Sequence, residues 1–174
     1  MPRHESGQVI RMGHKWRVRG DLASVFRLIS DPRTFPAWMR VVKHVEATGG
    51  SDEPVVGATG KMRVRSLLPY ALRWSMRLTH LRPGRVVHSD CHVTLGERVS
   101  LSGRVSFHFE RDGDEHVIVT NDQELTLNRP LPRWLAPLAT WAFRLNHWWA
   151  LSRAQRELEK LANVNLPSQT VCFA

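Results

Sequence analysis

The chain has little that would staple, anchor or metallate it. Only two cysteines occur in 174 residues, Cys91 and Cys172. They lie far apart and fit no metal-ligand spacing, so neither a disulfide framework nor a zinc site is expected. No apolar run approaches the ~20 residues that span a bilayer. The opening MPRHESGQVIRMG carries basic residues but no apolar stretch of the secretory kind. Both thiols are therefore expected to be free, in a reducing cytoplasm. There is no Walker loop, no glycine-rich dinucleotide fingerprint and no strand–turn–helix nucleophile motif, so no cofactor is expected. Internal repeats, low-complexity tracts and interdomain linkers are absent too.

What is present is a globular composition, 42% hydrophobic and 24% charged, in a chain long enough to bury a core without staples. The net charge is +9, which raises the question of nucleic acid or anionic membrane. Arginine supplies 21 of the 25 basic residues (four are lysine), a bias that base composition alone can produce. The basic residues form no tail, and no nucleic-acid motif accompanies them. No specific nucleic-acid partner is expected, and at most a weak contact with anionic membrane. Nothing sets an oligomeric state.

Periodicity gives the element order. Residues 1–13 are polar and expected to fray. His14 to Arg19 alternates, with Trp16 and Val18 against Lys15, Arg17 and Arg19, as in a half-buried strand. Asp21 is a candidate N-cap for a short helix carrying Leu22, Val25, Phe26 and Ile29. Pro32 and Pro36 bracket a second short helix anchored by Phe35 and Trp38. Six strands follow, at 41–48, 60–67, 71–81, 86–95, 99–109 and 116–127, with turns at Pro83-Gly84, Gly96 and Asp112-Gly113. Short connections make them an antiparallel meander. Residues 132–163 read as one long helix and 164–174 as a tail. The expected fold class is α+β: one domain over 14–163, with a seven-stranded curved antiparallel sheet, two short helices after strand 1 and one long C-terminal helix gripping the sheet.

Along that helix Trp134, Leu138, Trp141, Leu145, Trp148 and Trp149 recur at three- and four-residue steps. This stripe is expected to close an apolar cavity against the sheet, with Trp141 among the ligand contacts. A second apolar face, Phe143, His147, Leu151, Ala154, Leu158 and Leu161, dominates toward the C-terminus.

Three segments carry a resemblance to a known family. LASVFRLISDPRTFPAWMRVVKHVE at 22–46 is similar to its helix, D-P-x-x-x-P/W turn and strand. The Val56-Gly57 step is the second, and FRLNHWWAL at 143–151 resembles its F-R-x-N-H-x-W-x-M segment. Together, over about residues 14–163, they resemble the START-like or Bet v 1-like (SRPBCC) helix-grip superfamily, nearest the polyketide cyclase/dehydrase and lipid-transport branch. Leu151 and Arg156 depart from the pattern, where relatives carry Met and a glycine-containing stretch. The resemblance implies a binder of a lipid, polyketide or isoprenoid/quinone-like molecule, with cyclase or dehydratase chemistry open. The other class it implies is a non-catalytic protein-interaction or quinone-chaperone module.

Candidate site residues follow from phase and residue type. His147 could bond a ligand oxygen or shuttle a proton, since an unperturbed imidazole titrates near neutrality. Alternatively it bonds a strand carbonyl or a network near Arg144. Asn146 adjoins it. Asn121 and Gln123 share the inward phase of Val117, Val119 and Leu125, so they either bond each other and buried water or orient a ligand. Trp74 and Met76 should line the same cavity, and Tyr70, the single tyrosine, could be a polar handle at its mouth. His88, Asp90 and His92 share one strand face, but about 7 Å separates such neighbours, too far for one metal. Lys61, Arg63, Arg65, Arg73 and Arg77 should form a basic patch on the outer sheet. The Trp134–Leu135 region is the candidate for touching lipid.

Overall fold

The structure, a computed structural model, describes residues 8–48, 55–65, 71–95, 98–127 and 136–164. Seven strands form one antiparallel sheet: β1 (Val9–Arg19), β2 (Val42–Thr48), β3 (Thr59–Arg65), β4 (Ala71–Arg82), β5 (Val86–Leu95), β6 (Arg98–Asp112) and β7 (His116–Leu127). Their order across the sheet is β1-β7-β6-β5-β4-β3-β2, so the first two strands in sequence are its opposite edges. The meander from β2 to β7, with its turns at Pro83-Gly84 and Asp112-Gly113, agrees with the alternation of the sequence; the expected turn at Gly96 lies outside the described residues. The first strand starts earlier than expected: residues 9–13 pair in register with 122–126 of β7, since Ile10 and Met12 continue the inward phase of Trp16 and Val18.

Helix α1 (Leu22–Ser30) carries its N-cap where expected, with Asp21 Oδ1 accepting from the Ser24 N–H at 2.9 Å. A 3-10 turn at Pro32–Thr34 leads into the single turn α2 (Phe35–Trp38). Trp38 is locked there by donating from Nε1 to the Leu28 carbonyl at 3.2 Å and by edge-on contact with Trp16.

The long C-terminal helix is bent. Its two segments, α3 (Ala136–Leu151) and α4 (Ala154–Val164), meet at Ser152–Arg153. Segment α4 seals the β1 edge of the sheet: Gln155 Nε2 donates to the Arg17 carbonyl at 2.8 Å, and the Arg19 N–H donates to Glu159 Oε1 at 3.2 Å. Those backbone groups would otherwise offer an open edge. The approach is close because Gly20 has no side chain; a Cβ there would stand 2.7 Å from that of Ala162. Gly103, at the middle of the sheet, allows a close approach of β7 in the same way, since a Cβ would fall 1.9 Å from the Glu124 carbonyl oxygen. Among the described residues no helix is long and apolar enough to cross a membrane.

The long helix is turned the other way round from the expected packing. Trp141, Leu138, Leu145 and Trp148 face out, while Phe143, Asn146, His147, Ala150 and Leu151 face the sheet. The physical reason lies in α4, which has only one apolar face. Ala154, Leu158 and Ala162 are buried on β1 and α1, and continuing that phase backwards selects the smaller of the two apolar faces of α3. Trp149 is half-buried beside the core. Trp134 and Leu135 lie outside the described residues.

Candidate functional site

Between the inner face of α3 and the sheet lies a cavity of about 80 Å³. Met62 and Val64 of β3, Leu72, Trp74 and Met76 of β4, and Val105 and Phe107 of β6 form its floor, with Phe35 and Met39 at one side. The roof is Phe143, Asn146, His147, Ala150 and Leu151. All but three of the lining groups are apolar. The exceptions, Gln123, Asn146 and His147, converge from β7 and α3.

Four expected site residues beyond His147 thus meet at one cavity: Trp74, Met76, Gln123 and Asn146. Asn121 is fully buried but stands behind them. Its Nδ2 donates to the Ser106 carbonyl at 3.4 Å and its Oδ1 accepts from Gln123 Nε2 at 3.2 Å, so it orients Gln123 without lining the space. Trp141 is on the outer surface and cannot touch the cavity. Tyr70 lies outside the described residues.

His147 has the most constrained chemistry. Its Nε2 is buried and has no hydrogen-bond partner. Burial, with a smaller contribution from His14, pushes its pKa down to about 4. At pH 7 the ring is therefore neutral, able to donate from one nitrogen and accept at the other. The two imidazoles meet edge-on, with centroids 6.5 Å apart. Burial lowers the His14 pKa as well. The sequence reading passed over His14, although it shares the period-two phase of Trp16 and Val18.

Elsewhere the outer face of the sheet is a charge ladder. Its register runs Arg11, Glu124, Arg104, Asp90, Arg77 from β1 to β4, with ion pairs Arg11–Glu124 at 2.9 Å and Arg104–Asp90 at 3.6 Å. The basic patch is thus interrupted at Arg77 by Asp90, and by Glu46 opposite Lys61; only Arg63 and Arg73 oppose each other in register. His88 stacks on His80 and meets His108 edge-on, with Nδ1 2.8 Å from Ser106 Oγ. No group of His, Cys, Asp and Glu among the described residues has the geometry of a metal site. Cys91 is a buried inward-facing free thiol, its pKa pushed up to about 12 by desolvation.

A curved antiparallel sheet gripped by a C-terminal helix, with an apolar space between them, defines the START-like and Bet v 1-like helix-grip class. Within that class the chain belongs to the polyketide cyclase / dehydrase and lipid transport family, which it matches over residues 14–164. Similar solved structures include ginseng major latex-like protein 151 from Panax ginseng, at 15% identity and a TM-score of 0.64, covering 92% of this chain and 100% of that one. A START superfamily protein from Mycobacterium smegmatis matches at 12% identity and a TM-score of 0.63, covering 89% and 98%. An uncharacterised protein from Rhizobium leguminosarum matches at 15% and 0.61, covering 91% and 97%. At such identities the likeness speaks for the fold. A search of curated proteins gives no match.

Proposed function

We propose that the protein is a cytoplasmic binder of a hydrophobic small molecule of the lipid, polyketide or isoprenoid/quinone-like class. The apolar body of the ligand lies along Trp74, Met76 and Phe107, and one carbonyl or hydroxyl meets Gln123, Asn146 and His147. The observation that carries this reading is the buried, unpartnered Nε2 of His147 in an otherwise apolar cavity. An unsatisfied buried polar atom costs about 1–3 kcal/mol, and a ligand oxygen at that point offsets the cost. A pocket for a drug-sized molecule needs about 300–1,000 Å³, against the 80 Å³ found. Entry therefore requires α3 to move outward from the sheet.

A cyclase or dehydratase would in addition need proton transfer, for which His147 is the available group. Its depressed pKa makes it a weak base in the empty cavity, which favours binding over catalysis. Native mass spectrometry of the chain purified without denaturant tests the reading. The expected result is a one-to-one adduct of lipid, polyketide or isoprenoid mass, reduced in His147→Gln. A bare chain in every preparation, with no uptake of such molecules when they are added, contradicts it.

A further inference from the structure

Segment α3 has a second apolar face that no other described residue covers. Leu138, Trp141, Leu145 and Trp148 are 58%, 61%, 37% and 59% exposed, and their spacing puts them in one line along the helix. Together they present roughly 500 Å² of apolar surface, at the upper end for a single patch on a monomer. Its charge surroundings are one-sided. Between Glu124 and Glu157 the sequence has no Asp or Glu but five arginines, at 129, 133, 144, 153 and 156. Of these, Arg144, Arg153 and Arg156 are described and exposed, and Arg144 borders the stripe one helical step from Trp141 and Trp148.

Tryptophan and leucine on one line, bordered by uncompensated arginine, match the layered chemistry of an anionic lipid surface: indoles at the headgroup level, cations against phosphate. A second copy of the chain fits less well, because a two-fold contact would bring the same positive charge to both sides of the seam. We infer that the outer face of α3 is a docking surface for anionic membrane. The inference does not depend on what the cavity holds, because it concerns the opposite face of the helix and is read on the chain alone.

Flotation with vesicles of phosphatidylcholine, with and without phosphatidylglycerol, tests it at low and near-physiological salt. Binding to the anionic vesicles should be about tenfold or more tighter than to the neutral ones, with a blue shift of tryptophan emission. Trp141→Ser with Trp148→Ser should lose at least about tenfold of that affinity, while the exposed positions leave the far-ultraviolet dichroism unchanged. Arg144→Glu should weaken binding to the anionic vesicles and leave the neutral ones unaffected. Equal binding by the double tryptophan variant, or no binding to anionic vesicles at low salt, overturns the inference. Concentration-dependent self-association removed by the same two substitutions, without vesicle binding, assigns the face to a second copy and overturns it too.

Discussion

His147 sits in surroundings that penalise its charged form, and that penalty is measurable as a dependence of stability on pH. With a folded pKa of about 4 against an ordinary value of 6.5, the ring is neutral in folded and unfolded chains alike above pH 6.5. As pH falls from there toward 4, the unfolded chain takes up a proton that the folded chain refuses. Stability then drops, by about 3 kcal/mol over the window, and the loss ends near the folded pKa. Between pH 7 and 4.5, denaturant titrations should show the wild type losing about 2 kcal/mol more than His147→Gln; parallel losses would mean that the ring is not shielded. Gly20 is the second decisive residue, because its missing side chain admits Ala162. Gly20→Ala should cost about 1–3 kcal/mol by overpacking that contact, read as a lowered melting temperature. Neither effect was visible in residue type alone. A histidine in an apolar phase announces burial, but its partners come from distant strands, and the Gly20–Ala162 approach joins positions 142 apart.

The strands were legible in the sequence because alternation has a fixed period and each hairpin is local; Leu72, Trp74, Met76 and Leu78 declare one face without reference to anything else. The long helix was less so. Near its middle it is apolar nearly all round, and periodicity alone cannot say which of two faces turns inward. The answer came from α4, whose polar outer side leaves one choice, and from contacts with β1 and Gly20. The two segments should therefore differ in stability. Leu158 is 0% exposed, Arg40 and Lys160 hold Glu157 at 2.9 and 3.2 Å, and the Gln155 and Glu159 contacts pin α4 to the sheet edge. On α3, Leu151 is the one buried side chain among those described. Amide hydrogen exchange should run at least about tenfold faster in α3 than in α4, in keeping with a roof that moves to admit a ligand. Equal protection along both would tie the helix down as one unit and remove the entry route.

At the scale of the molecule, sheet and helix enclose a space whose chemistry is set by a few groups. Apolar side chains from five strands line it, and Gln123, Asn146 and His147 form one polar end. The family is shared over most of the chain, yet one architecture hosts many functions, so the proposed ligand has to be argued from the particular residues of this cavity. The most direct measurement is titration with an environment-sensitive apolar fluorophore bearing a single carbonyl. One probe should bind per folded chain and quench part of the tryptophan emission. Trp74→Ala and Met76→Ala should each weaken it by about 1–3 kcal/mol, or roughly tenfold to a hundredfold, while Trp141→Ala, on the outer face, should leave it unchanged. A folded chain that takes up no apolar probe, or one whose affinity is insensitive to Trp74 and Met76, would contradict a ligand site between sheet and helix.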